Sequence, residues 1–181
     1  MNEKEIIALI EEDVWMMHTL QTVKQLRLSD WWICAGFVRS KVWDVLHGYR
    51  KKTALPDVDV IYYDPSCQEE AAEKELERRL FSLSPGIPWS VKNQARMHRK
   101  NKMNPYTDSI DAMSKFPETA TAIGVTLNHD GRAVLAAPHG IEDLVKMQVK
   151  PTPYFVNTGV YRDRVTEKNW GAVWPMVIIE I

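Results

Sequence analysis

The sequence predicts an α/β (α+β) fold, a mixed sheet with helices packed mainly on one side and further helices flanking it at both ends of the chain. Three observations predict it. The apolar run Trp31–Ala35 stops at Gly36 and passes into a helical pattern, Val38, Val42, Val45 and Leu46. The stretch Asp57–Tyr63 alternates with period two, as a half-buried strand does. Helical and strand-like stretches then follow one another, each with room for one element. The 181 residues suit a single domain, 1–181, with a helical segment over 1–28 and a C-terminal extension over 151–181.

From Glu3 to about Leu26, Ile6, Ile7, Ile10, Val14, Met17 and Leu20 keep helical spacing, with acids early and Lys24 and Arg27 late. This is one long helix or two short ones, closed by Leu28-Ser29-Asp30. Met16, Met17 and His18 read as core filling. The helix after Gly36 runs out near Gly48, and Asp44 within it reads as an exposed acid. Arg50, Lys51 and Lys52 follow, guiding an anionic substrate or facing solvent.

Pro65-Ser66 opens a helix whose buried stripe is Ala72, Leu76 and Leu80, and Pro85-Gly86-Ile87-Pro88 ends it. Trp89–Arg96 alternates, with Trp89, Val91, Asn93 and Ala95 on one face. Arg96, His98, Arg99, Lys100 and Lys102 form the dense basic cluster of the chain, read as a loop that grips phosphates or is simply solvated. Thr119–Leu127 and Arg132–Ala137 read as a hairpin, and Pro138-His139-Gly140 launches a short helix to about Val149. Beyond Pro153, Tyr161, Arg164 and Lys168 share one helical face, a phosphate-facing or packing stripe. Val177–Ile181 is strand-like in composition.

Composition removes several function classes. Lys plus Arg number 23 against 24 Asp plus Glu, so any cationic surface is local rather than global. No positively charged start leads into an apolar block, and no apolar run approaches the roughly 20 residues that span a bilayer. The expectation is a cytoplasmic protein without a membrane partner. Cys34 and Cys67 lack metal-ligand spacing and read as reduced thiols. The seven tryptophans read mainly as core anchors.

The chemistry gathers at two places. Asp57 and Asp59 project from one face of their strand, where two carboxylates repel unless a cation or water separates them. Oxygen ligands of this kind suit a hard divalent ion, Mg²⁺ or Mn²⁺ in its place, that keeps waters and takes substrate phosphates. The strand–Gly36–helix turn offers free backbone N–H groups to an anion. Arg39 and Lys41 lie in the first turns of that helix, where the macrodipole disfavours cations by roughly 0.3–1 kcal/mol each. A bound phosphate removes that conflict.

At these residues the sequence resembles the DNA-polymerase-β-like nucleotidyltransferases. More narrowly, AGFVRSKVWD, LPDVDVIYYD, WSVKNQARMH, ETATAIGV, APHGIEDL and YRDRVTEKNW resemble a bacterial family of small predicted nucleotidyltransferases, from about Trp31 to Trp170. The resemblance implies a nucleotidyltransferase-like domain that transfers a nucleoside monophosphate from an NTP to an acceptor hydroxyl, releasing pyrophosphate. Asp57 and Asp59 are the expected metal ligands and catalytic residues, and Gly36, Arg39, Asn93 and Arg96 the expected nucleotide contacts. Many superfamily members carry a third metal-binding carboxylate on a strand like Trp89–Arg96, where this chain has Asn93. Either two carboxylates suffice or Asp64, Asp108, Asp111, Glu142 or Asp143 supplies one. The acceptor, whether small molecule, RNA or protein, is open, as is the oligomeric state. Asn93 and the single glycine at the turn also admit a nucleotide-binding or adaptor module without turnover. The basic cluster admits an RNA-binding protein.

Overall fold

The computed structural model describes residues 1–156 and 158–180. In chain order the elements are α1 (Glu3–Glu11), α2 (Val14–Lys24), β1 (Trp32–Cys34), α3 (Gly36–Leu46), β2 (Val58–Tyr62), α4 (Glu70–Leu83), β3 (Trp89–Asn93) and α5 (Gln94–Asn101). They continue with α6 (Ser109–Ser114), β4 (Gly124–Leu127), β5 (Ala133–Ala136), α7 (Glu142–Val145), β6 (Gln148–Val149), α8 (Gly159–Lys168), α9 (Trp170–Val173) and β7 (Ile178–Ile179). Five strands form one mixed sheet in the order β3-β2-β1-β4-β5, parallel only between β2 and β3.

Period-two alternation assigns the two faces. Ile33, Val58, Val60, Val91 and Val125 point into the main core, where they meet Ile6, Ile10, Leu20, Phe37, Val42, Trp43 and Leu80 from α1 to α4. The opposite face holds a smaller cluster, Trp32, Cys34, Ala35 and Ile61 under Met113 and Phe116, which leaves part of that face open. Helices thus pack mainly on one side, and the carboxylate-bearing face is the other.

Several elements differ from the sequence-based expectation. The N-terminal helix is two helices, because Asp13 caps α2 through the Met16 N–H and starts a new axis. The basic stretch after β3 is helical, capped by the Asn93 side chain. The expected strand from Thr119 begins at Gly124; before it, Thr121 and Ala122 donate to the Glu118 carbonyl in a tight turn. The helix expected from Pro138 to Val149 is a single turn, α7, because Met147 takes a positive φ of 55° and the chain leaves as β6. At the C-terminus β7 pairs with β6 in parallel, while Ile181, the last residue of the strand-like run, lies outside the described residues. Among the described residues no helix is long and apolar enough to cross a membrane.

Candidate active site

The register of the sheet makes the site. β1 runs antiparallel to β2 with Cys34 opposite Asp59, so the strand that ends at Cys34 delivers the start of α3 beside the Asp57-x-Asp59 face. Val58 and Val60 are fully buried behind, and Asp57 and Asp59 are half-buried on the other side. The turn is tight. Ala35, not Gly36, takes a positive φ (φ 53°, ψ −116°), a sparsely populated backbone conformation that costs a side-chain-bearing residue about 1–3 kcal/mol and persists only where neighbours impose it. One such constraint is the Ala35 N–H, which donates to the Ile123 carbonyl at 2.9 Å. No side chain caps α3, so its first amides remain free for an anion.

A cleft of about 360 Å³ opens here, lined by Ala35, Gly36, Arg39, Asp57, Asp59 and Arg164, with Lys168, Trp170 and Trp174 completing one wall. Arg39 is the unusual member. It is buried, 8% exposed, with its guanidinium carbon 5.2, 5.0 and 5.6 Å from the ring centres of Trp43, Trp170 and Trp174. The three rings hold it by cation–π attraction. Burial lowers its pKa to about 10, against the pull of Glu118 and the Asp57 and Asp59 carboxylates. Its Nε–H has no partner among the described residues, and its side-chain hydrogen bond there is one long donation, 3.3 Å, from a terminal nitrogen to the Ser40 hydroxyl. A buried, under-satisfied guanidinium in a cleft is set to receive an anion.

Asp59 shows the complementary tension. Burial first, and then the Asp57 charge, raise its pKa, partly offset by the Ser90 hydroxyl beside it and by Arg164 and Lys168. A cation between the two carboxylates removes both raising causes, so the donor set fits a hard divalent ion completed by water and phosphate oxygens. No group of three or more His, Cys, Asp or Glu side chains that could hold a metal occurs among the described residues.

The family described as Nucleotidyltransferase matches residues 21–179, a range that includes the turn, the helix and the paired carboxylates. The chain belongs to the nucleotidyltransferase family. A protein solved by NMR and reported to reveal a CCA-adding enzyme head domain is 36% identical, with a TM-score of 0.88, covering 99% of this chain and 96% of that one. The Thermotoga maritima CCA-adding enzyme complexed with tRNA is 14% identical with a TM-score of 0.59, and a CCA-adding enzyme with ATP is 13% identical with a TM-score of 0.55. These two share the fold, and this nucleotidyltransferase spans 43% and 42% of their lengths. Among proteins of curated function, none matches the sequence.

Within the cleft of this nucleotidyltransferase-family chain, Gly36, Arg39, Asp57 and Asp59 are brought together. Asn93 and Arg96 are not. Because β3 runs parallel to β2, Asn93 pairs with Tyr62, three residues past Asp59 and roughly 10 Å along the strand. Its amide is fully engaged: Oδ1 accepts from the Asp64 and Ala95 N–H groups, and Nδ2 donates to the Asp64 and Cys67 carbonyls. Arg96 makes a forked pair with buried Glu73, Nε at 3.1 Å and a terminal nitrogen at 2.8 Å, which locks α5 to α4. The basic cluster therefore sits at the far end of the sheet edge.

None of the candidate third acids lines the cleft. Asp64 binds Ser66, Asp108 caps α6, Asp111 pairs with Lys115 and Asp143 with Lys150. Lys41 pairs with Asp13 at 2.7 Å, and Lys52 stacks 3.4 Å over Trp15, so neither reaches this site. Asp44 is 5% exposed rather than solvated: it accepts from the Thr53 N–H and hydroxyl and from the Trp174 indole N–H, tying α3 to the following loop and to the C-terminal segment. The Tyr161, Arg164, Lys168 stripe divides. Tyr161 is buried and donates to the Val149 and Glu180 carbonyls, while Arg164 and Lys168 line the cleft. Sequence reading left these two undecided and missed Trp170 and Trp174; the only local signal was their helical spacing.

Proposed function

We propose that this nucleotidyltransferase transfers a nucleoside monophosphate from an NTP to an acceptor hydroxyl with a divalent metal, Mg²⁺ or Mn²⁺, held by Asp57 and Asp59. The observation that carries the reading is the single cleft that brings two half-buried carboxylates together with an under-satisfied guanidinium and the uncapped start of α3. When bound, the metal supplies charge neutralisation for the triphosphate and the attacking oxygen. Asp57 and Asp59 position it. Gly36 lets the chain approach the β and γ phosphates through backbone N–H groups, and Arg39 receives their charge without reorganising, since its tryptophan cage already fixes it. The acceptor oxygen bonds to the α-phosphorus as the bond from that phosphorus to the α–β bridging oxygen breaks. Pyrophosphate leaves with the electron pair, and the acceptor hydroxyl gives up its proton to water.

An RNA 3′ end is the acceptor class that the fold neighbours favour, since one of them was solved with tRNA and another with ATP. The test is pyrophosphate release from each NTP in the presence of Mg²⁺ and an RNA pool, for wild type and for Asp57→Asn. Metal-dependent release with label carried onto RNA, lost in the variant, is the expected result. The absence of a third carboxylate among the described residues favours one second reading, a nucleotide-binding module without turnover. Saturable Mg-NTP binding with no pyrophosphate release from any acceptor pool would replace the first reading by this one.

A further inference from the structure

Glu118 is fully buried on the turn before β4, far in sequence from the helix it serves. Its Oε1 accepts from Arg164 Nε at 2.5 Å and its Oε2 from the Thr121 hydroxyl at 2.6 Å, so both oxygens are fixed. An ion pair that buries its carboxylate completely and leaves its arginine 35% exposed is a poor stabiliser compared with apolar residues of the same volume. Stability alone therefore gives little reason for a charged pair to join residues 46 apart. The geometry gives a better one. Arg164 uses its Nε–H on Glu118, and its two terminal nitrogens make no hydrogen bond among the described residues. The side chain is 35% exposed and lines the cleft with Asp57 and Asp59, and Lys168, one turn further along α8, lines it too.

We propose that Glu118 is a positioning residue that holds Arg164, with Lys168 beside it, as the C-terminal half of an anion clamp whose other half is Arg39. The clamp takes the pyrophosphate portion of the nucleotide, and this assignment rests on the nucleotidyl-transfer reading above. As the α-phosphorus to bridging-oxygen bond breaks, the negative charge gained by the leaving pyrophosphate develops beside donors already aimed at it. The sheet domain alone would present one arginine. α8 contributes the remaining cations, and Glu118 fixes where they point.

The test exploits a difference in sign. Removing the Glu118 charge by Glu118→Gln makes the cleft more positive, so a purely electrostatic role predicts tighter anion binding. A positioning role predicts weaker binding. Calorimetric titration of the full chain with magnesium pyrophosphate and with Mg-ATP is expected to show about tenfold weaker pyrophosphate binding for Arg164→Gln, the scale of one lost charge-assisted contact. Glu118→Gln should weaken it in the same direction, and add nothing further in the Arg164→Gln background. Arg164→Lys, which keeps the charge but cannot reach both Glu118 and the ligand, should resemble Arg164→Gln. Unchanged pyrophosphate affinity in Arg164→Gln, or tighter binding in a folded Glu118→Gln, overturns the clamp. If Glu118→Gln does not fold, the Arg164→Gln and Arg164→Lys pair decides alone. Pyrophosphate binding without Mg-ATP binding would instead overturn the nucleotidyl-transfer reading and leave the clamp standing.

Discussion

Asp59 and Asn93 show two opposite uses of a polar side chain. Asp59 is held with a raised pKa by burial and by Asp57. Between the ordinary carboxylate value and that raised value, the folded chain keeps a proton that the unfolded chain has released. Stability therefore falls as pH rises through that window, and the deficit persists at neutral pH. Asp59→Asn is expected to stabilise the protein by about 1 kcal/mol at neutral pH while abolishing metal-dependent nucleotide binding, the usual conflict between a site and its fold. Urea unfolding checks it, and the gain should vanish below about pH 4, where ordinary carboxylates are protonated in both states. Asn93 is the reverse case, 1% exposed with all four hydrogen-bonding positions used inside the fold. Asn93→Ala is expected to cost about 3 kcal/mol, because it strands buried backbone partners, and to leave Mg-nucleotide affinity unchanged. Denaturation and calorimetry on the same sample separate the two effects.

At the scale of elements, the site depends on β1 more than on either helix beside it. β1 is three residues long, paired on both edges, and its last residue Cys34 faces Asp59 on one side and Gly124 on the other. A side chain at Gly124 has no room: a Cβ there would lie 2.6 Å from Met113 Cε and 2.9 Å from Cys34 Sγ. Met113 can swing away, but Cys34 belongs to the strand that carries the Ala35 turn. Gly124→Ala is expected to cost about 2 kcal/mol by overpacking. It should also weaken Mg-nucleotide binding, although residue 124 does not line the cleft, because the strain is relieved through β1. A variant with full affinity and only reduced stability would show that the turn is held independently of β4. α3 is braced separately, with buried Asp44 binding Thr53 and Trp174 and so closing the tryptophan cage around Arg39.

Across the whole molecule, a near-neutral chain concentrates Arg39, Arg164 and Lys168 around one carboxylate pair. A ligand that joins the sheet domain to α8 should stabilise the native state as a unit. At a hundredfold excess over its dissociation constant, Mg-ATP contributes about 2.7 kcal/mol. For a domain of this size that is a rise of about 5–10 °C in the unfolding midpoint. The rise is expected for wild type, absent in Asp59→Asn, and reduced in Arg164→Gln. A thermal shift in all three would place the ligand outside this cleft.

The sequence by itself determined the parts of this protein that are local. The apolar run, the break at Gly36 and the helical spacing of Val38, Val42 and Val45 specify strand, turn and helix, and the alternation of Asp57 to Tyr62 puts both carboxylates on one face. These are periodicities over two to four residues, and the backbone enforces them wherever the chain lies. Only the tertiary structure decided which cations meet those carboxylates. Asn93 ends and Arg96 follows a strand that pairs beside Asp59, yet the parallel direction of β3 carries both to its far end, where Asp64 and Glu73 engage them. Arg164, Lys168, Trp170 and Trp174 come from a hundred residues downstream because α8 and α9 pack back onto α3 and the Glu118 turn. Strand direction and long-range docking are settled by burial and packing across the whole chain, and no short stretch of sequence contains that sum.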